Sequence, residues 1–336
     1  MNTQSINKTK VKNFISDNMT LIPIAILMAF GGITYGSTFL NYKSNIINVL
    51  HMASMIGIMG VGVNMCFFIG ARDLSVGAVA AAASMFTALL SPYGFIPSIL
   101  GGLLIGTFFG LFNGLIISKF QVQPFIATLG TQLAARGLAL LVNKELSIPL
   151  SDKSTVLKAI GNNNLFGIFP IATVIFLTLI IVLTIVMKKT PFGRAVYAVG
   201  GNEEAAEMMG IPVSKIKLCV FLISGLTAAL SGIVLTGRIS AGQPTACEGW
   251  EMTIMAAVVI GGTNVRGGTG KIHGIFYGAL FVQFISNIIN LNGRISPYWK
   301  DIITGIILLI AVLAQVYADR KNERIKNTVK KEVSVA

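Results

Sequence analysis

Residues 165–194 read LFGIFPIATVIFLTLIIVLTIVMKKTPFGR, and residues 195–217 continue AVYAVGGNEEAAEMMGIPVSKIK: an uncharged apolar run to Met187, then a stretch in which charge and glycine return. At 1.5 Å per residue the run crosses roughly 30 Å of hydrocarbon, and the stretch 187–217 is too polar to do so. The chain therefore alternates between lipid and water. The same test applied outward finds ten charge-poor runs: 21–40, 46–68, 74–91, 95–117, 124–143, 165–187, 218–237, 250–263, 272–291 and 301–318. The third and eighth are short and rich in Gly and Ala, which predicts helices that are broken or cross incompletely. Composition agrees, because only 12% of the 336 residues are charged and 54% are apolar, against about a quarter charged in soluble domains. A soluble cytosolic enzyme is excluded. The expected fold is an all-α polytopic membrane protein with about 10 transmembrane segments. It divides into an N-terminal tail at 1–20, a membrane domain at 21–318 containing the polar loop 187–217, and a basic tail at 319–336.

No small-residue cleavage site follows the first run, so it is read as a retained span. An even number of crossings puts both termini on one side. With the N-terminus inside, eighteen of the 26 Lys and Arg fall on inside segments, seven outside, and Arg136 lies within the fifth run. That asymmetry places both termini in the cytoplasm. It also accounts for the net charge of +13 as basic loops facing anionic headgroups. Nucleic-acid binding is not indicated, since no basic groove with interleaved aromatics is present. Cys66, Cys219 and Cys247 are isolated thiols without metal or disulfide spacing. His51 and His273 have no carboxylate at ligand spacing, and neither H-E-x-x-H nor G-x-S-x-G occurs. No catalytic, cofactor-binding or metal-binding residue is assigned.

Within the polar island, Pro191 and Gly193 mark its entry. Asn202 is a plausible N-cap for a short helix over 203–209 with Glu203 and Glu204 in its first turn, and Gly210 and Pro212 end it. Ala205, Ala206, Met208 and Met209 on a capped helix favour a surface that docks another protein over a plain linker. Two other stretches, GARDLSVGA at 70–78 and VVIGGTNVRGGTGKIHG at 258–274, interrupt apolar sequence. They read equally as tight cytoplasmic turns or as breaks lining a path, and Ser75 can cap the helix after the first of them. GRISAGQPTACEGWE at 237–251 is placed outside, where Arg238, Glu248, Glu251 and Trp250 contact a soluble partner or sit at the headgroup boundary. Polar residues in or beside the runs should face inward. They include Asn64, Asn113, Gln123, Thr128, Gln132, Gln283, Asn287 and Asn290, with Arg136 as the ionisable group deep in a run. Nearly uncharged donors and acceptors of this kind suit a neutral polyhydroxylated solute.

Four blocks together resemble the permease of ribose-type ABC importers, across residues 46–315. One is Gly193-Arg194 continued by AVYAVGGNEEAAEMMGIPV at 195–213. The others are QPFIATLGTQLAARGLALLV at 123–142, GARDLSVGA at 70–78 and MAAVVIGGTNVRGGTGKIHGIFYGAL at 255–280. By that resemblance Gly193, Arg194, Gly200, Asn202, Glu203, Ala205, Ala206, Gly210 and Ile211 form the loop that couples to the ATPase. Pro124, Phe125, Thr128, Leu129 and Gly130 match the block before an inward-facing helix, and Asp73, Ser75 and Gly77 match the family's block at the second break. Arg72, Ala78 and Asn264-Val265-Arg266 depart from the usual pattern. The pathway candidates are Asn64, Asp73, Ser75, Phe125, Thr128, Gln132 and Asn287.

The resemblance implies a multi-pass protein of the bacterial cytoplasmic (inner) membrane that carries a monosaccharide such as ribose, xylose or galactose by alternating access. Its partners are a cytoplasmic ABC ATPase, an extracytoplasmic sugar-binding protein, and a second permease copy or close paralogue. ATP and Mg belong to the ATPase, because this chain lacks G-x-x-x-x-G-K-[ST]. Alternatives are a permease of the same architecture for nucleosides or branched-chain amino acids, and an ion-coupled secondary transporter. Against amino acids, no paired anion and cation site is visible in the runs. Against the secondary transporter, the 13 acidic residues are placed in loops or at segment ends.

Overall fold

The computed structural model describes the backbone of residues 21–335 and side chains as far as Tyr317. The expected tail at 1–20 and the side chains of the basic tail at 319–336 lie outside the described residues. The helices are α1 (Leu21–Leu40), α2 (Ile47–Phe68), α3 (Val76–Leu89), α4 (Phe95–Lys119), α5 (Pro124–Leu141), α6 (Thr155–Asn162) and α7 (Ile171–Lys189), followed by α8 (Pro191–Gly201), α9 (Glu203–Met208), α10 (Val213–Ile239), α11 (Trp250–Ile260), α12 (Gly274–Asn292) and α13 (Trp299–Val335). Two antiparallel pairs of two-residue strands staple loops: β1 (Ile148–Pro149) with β4 (Ala241–Gly242), and β2 (Asn164–Leu165) with β3 (Phe169–Pro170).

Eight helices are long and apolar enough to cross a membrane, while α3 and α11 are shorter apolar helices. At about 21 Å and 16 Å they fall short of the hydrocarbon thickness. Hydrogen bonds place the segments that flank each of them at opposite ends of the molecule. At the end carrying the polar island, the Gly268 N–H donates to the Phe68 carbonyl (2.9 Å) and Ser214 Oγ to the Ser118 carbonyl (3.2 Å). At the other end, the Ser151 N–H donates to Ser91 Oγ (2.9 Å) and Asn162 Nδ2 to the Gly237 carbonyl (2.9 Å). The segments 69–75 and 240–249 complete the two short crossings. Eight of the ten expected runs are helices of spanning length among the described residues, and the third and eighth are the short ones.

α2 is apolar on every side, with mixed Gly, Ala, Met and Ile, and it is buried along almost its whole length. A helix of that kind belongs in the centre of a bundle. Lipid, by contrast, solvates the helices that expose large apolar side chains, such as Ile33 on α1 (87% exposed) and Leu313 on α13 (67%). The tightest seam lies between α4 and α10. Gly102, Gly106, Gly110 and Gly114 recur every fourth residue on α4, and a Cβ on Gly106 would collide with the Gly225 carbonyl and the Ala229 methyl of α10. Small residues at four-residue spacing let two backbones approach where no hydrophobic force between helices operates. Gly106→Leu is expected to destabilise the purified protein by about 1–3 kcal/mol through overpacking. Gly130→Leu on α5, where a Cβ meets nothing, should leave the melting temperature unchanged; equal melting of both variants would contradict the seam.

Several boundaries differ from the sequence reading. The sixth run, expected from 165, begins its helix at Ile171, because Phe166 and Gly167 take positive φ and turn the chain between β2 and β3. The seventh is 27 residues long, starting directly after Pro212. The island holds two helices where one is expected. Thr190 caps α8 by accepting from the Gly193 N–H (3.3 Å), with Pro191 in the first turn, a start signal present in the sequence.

Candidate functional site

The break between α2 and α3 is organised by one carboxylate. Asp73 Oδ1 accepts from the Ser75 N–H (2.9 Å) and the Ser75 hydroxyl (2.6 Å), and Oδ2 accepts from the Ser224 hydroxyl of α10 (2.7 Å). Ser75 occupies the N-cap position of α3 but makes no side-chain cap bond; its hydroxyl turns back to Asp73 instead. The chain of donors continues outward, since Asn113 Nδ2 of α4 donates to Ser75 Oγ (3.0 Å) and the Thr131 hydroxyl of α5 to Asn113 Oδ1 (2.6 Å). Every proton points toward the carboxylate, so the buried charge lies at the end of a polarised, fully satisfied network. Four helices meet there.

A second polar group joins α5 to α11 and to the segment before it. Gln132 Nε2 donates to Glu251 Oε1 (2.9 Å), while Arg136 Nη1 donates to the Pro244 (2.6 Å) and Ala246 (2.9 Å) carbonyls. Glu251 is buried, and its Oε2 has no hydrogen-bond partner. This corrects two expectations. The sequence reading puts Glu251 outside, facing a soluble partner or the headgroups, yet it faces inward because α11 begins beside Gly77 of α3, inside the protein. Asp73 and Glu251 are at segment ends, but those ends are interior, so Arg136 is not alone among interior ionisable groups. Gln132→Leu leaves both Glu251 oxygens unpaired and should cost about 1–3 kcal/mol. Adding Glu251→Leu should recover much of that loss, and a double variant less stable than Gln132→Leu would refute the pairing.

The seven pathway candidates fall into three groups. Asp73, Ser75 and Gln132 lie at the two polar clusters. Thr128 is buried one turn from Gln132, its hydroxyl donating to the Pro124 carbonyl (2.8 Å), while Phe125 is 51% exposed at the start of α5. Asn64 and Asn287 are not part of this group. Asn64 accepts from Thr263 Oγ1 (2.7 Å) and donates to the Lys271 carbonyl (3.2 Å), while Asn287 exchanges amide bonds with Asn45 (2.7 and 3.1 Å). Asn64 ties α2 to the loop between α11 and α12, and Asn287 ties α12 to the segment before α2. Ser224, Thr131 and Glu251 belong to the clusters and are absent from the sequence-based pathway set. Hydroxyls in apolar runs give little signal, because they fit as well back-bonded to their own helix.

The island rests directly on these breaks. The Tyr197 hydroxyl of α8 donates to the Gly270 carbonyl (3.1 Å), and its ring lies 5.0 Å from that of Phe68, the last residue of α2. Gly200 is required by contact, because any Cβ would collide with the Phe68 carbonyl. Gly193, in turn, packs on the Met187 backbone. α8 is therefore fixed to the loops at the island ends of α2 and α11. His273, at the start of α12, has its imidazole pulled below the ordinary value by burial and by Lys271 and Lys188.

α9 forms as expected from its cap. Asn202 Oδ1 accepts from the Ala205 N–H (2.9 Å), and Lys217 Nζ contacts Glu203 Oε1 (2.6 Å), bracing α9 on α10. Ala206 is buried and Ile211 half-buried, whereas Arg194, Glu204, Glu207, Met208 (89%) and Met209 (70%) are exposed. Gly210 ends the helix at φ +80, a backbone conformation suited to glycine.

A lipid-solvated helical bundle whose two half-length crossings meet at interior polar groups, with a braced polar projection on their loops, is a polytopic membrane permease. The chain belongs to the family described as "Branched-chain amino acid transport system / permease component", which matches residues 45–312. It is 37% identical to the ribose import permease protein RbsC of Haemophilus influenzae over 319 residues, covering 93% of this chain and 97% of that one. It is 38% identical to RbsC of Bacillus subtilis over 271 residues (80% and 84%) and 36% identical to the L-arabinose transport system permease protein AraH of Escherichia coli K12 over 302 residues (87% and 86%). No solved structure matches the chain significantly. The protein is a multi-pass transport component of the bacterial inner membrane and not an enzyme.

Proposed function

We propose that this chain is the membrane-spanning subunit of an ATP-binding-cassette importer for a monosaccharide of the ribose or arabinose kind. The observation that carries the reading is the mechanical path from α9 through α8 to Phe68 and Gly268, at the loops of both incomplete crossings. A partner ATPase gripping α9 moves α8, and α8 moves the loops on which the polar clusters hang. The island end is the cytoplasmic one, by the excess of Lys and Arg on its loops. An extracytoplasmic sugar-binding protein engages the opposite end. A second permease copy faces α5 across the pathway, with Phe125 and Gln132 on its walls. The names of relatives support a sugar over an ion or an amino acid.

Reconstitution with the ATPase and the binding protein in proteoliposomes tests this. ATP-dependent uptake of radiolabelled D-ribose or L-arabinose is expected. Uptake of L-leucine in their place would favour the amino-acid reading, and uptake by this chain alone on a proton or sodium gradient would favour a secondary transporter.

A further inference from the structure

A cleft of about 450 Å³ opens between the first turn of α11 and the first turns of α13, at the end opposite the island. Its size lies within the roughly 300–1,000 Å³ of small-molecule sites. Among its lining residues are Glu248, Trp250, Thr253, Lys300, Asp301 and Thr304. None of the polar clusters above belongs to it: Glu251 faces α3 and α5 from the opposite side of α11. Lys300 makes no ion pair with Glu248 or Asp301 among the described residues, so both signs of charge remain available at the mouth. Deeper in, Thr304 is 6% exposed and its Oγ1 has no hydrogen-bond partner. A hydroxyl in a helix ordinarily bonds back to the carbonyl four residues earlier; this one does not.

We propose that this cleft is a low-affinity vestibule, open at the end opposite the island, that holds one neutral, polyhydroxylated ring. The proposal rests on the sugar-importer reading above and adds a site to it. An indole offers a flat apolar face for the C–H side of a sugar ring. The carboxylates and the ammonium at the mouth take the ring hydroxyls in charge-assisted hydrogen bonds. The unpartnered Thr304 hydroxyl decides between solutes. A sugar places a hydroxyl against it, whereas the aliphatic side chain of an amino acid would seal it in unpaired.

The chain has two tryptophans, so Trp299→Phe leaves Trp250 as the single reporter in the purified full-length protein in nanodiscs. Titration with D-ribose and L-arabinose should give a saturable change in Trp250 fluorescence, and L-leucine should give none. Thr304→Val, which keeps the side-chain shape, and Asp301→Asn should each weaken the sugar response roughly tenfold while circular dichroism and melting stay unchanged. An unchanged response in both variants, or saturation by leucine and not by sugar, would overturn the vestibule. Uptake by the reconstituted wild-type importer separates the two levels. If sugar is taken up but the cleft variants bind and transport normally, only the vestibule is wrong; if no sugar is taken up, the importer reading is wrong with it.

Discussion

Replacing Asp73 by alanine is expected to lower the stability of the purified permease by about 3–5 kcal/mol, the loss typical of breaking a buried charged network, and to abolish uptake. The carboxylate accepts three hydrogen bonds, from the Ser75 N–H and hydroxyl and from the Ser224 hydroxyl on α10. Removing it takes the acceptor from those donors and frees the Ser75 hydroxyl to which Asn113 donates. Because α3 is a crossing that starts inside the protein, these bonds also set where it starts. Asp73→Asn keeps one acceptor oxygen, and serine hydroxyls can rotate to accept from its amide, so its loss should be nearer 1 kcal/mol. Chemical unfolding in detergent measures both. An alanine variant within 1 kcal/mol of the wild type would mean that the network is decorative.

The double substitution Met208→Asp and Met209→Asp should leave the isolated permease almost untouched and still reduce ATP-driven uptake by at least about a hundredfold. Both side chains are exposed, at 89% and 70%, and exposed substitutions shift stability by no more than about 0.5 kcal/mol. If the proposed ATPase buries them, each contributes about 1.5–3 kcal/mol of apolar burial at that interface, and the carboxylates reverse it. Hydrolysis by the ATPase alone should persist, which marks the defect as uncoupling. Gly210→Pro should produce the same phenotype by another route, since proline cannot take φ +80 and removes the N–H that bonds to the Glu207 carbonyl (2.9 Å). Glu203→Lys removes the brace to Lys217 and puts positive charge at the start of α9, against the helix dipole. Normal uptake by all three variants would remove α9 from the coupling path.

Much of the architecture is legible without any coordinate. The ten runs emerge from length and charge, the two incomplete ones from their Gly and Ala content, and the cap of α9 from Asn202. Other features are written in the sequence but become plain only beside the fold. The glycines at 102, 106, 110 and 114 announce the α4–α10 seam, and Thr190 with Pro191 announces α8. The polar clusters are legible only in part. Asp73, Ser75 and Gln132 stand out as polar residues at breaks or in apolar runs. Asn64 and Asn287 stand out equally, and the structure spends them on ties to Thr263 and Asn45. Residue type cannot tell an amide that joins two helices from one that faces a pathway.

The sequence by itself determined that this chain lives in lipid and which stretches of it form the apolar helices, the two short ones included. Transfer between water and hydrocarbon is scored locally, over about twenty residues at a time. Only the tertiary structure decided which polar groups meet. Asp73 and Ser224 are 151 positions apart, and Gln132 and Glu251 are 119 apart. It also decided that Glu251 points inward and that α8 sits on Phe68. Those pairings depend on which faces of which helices come together, and that is set by packing across the whole bundle.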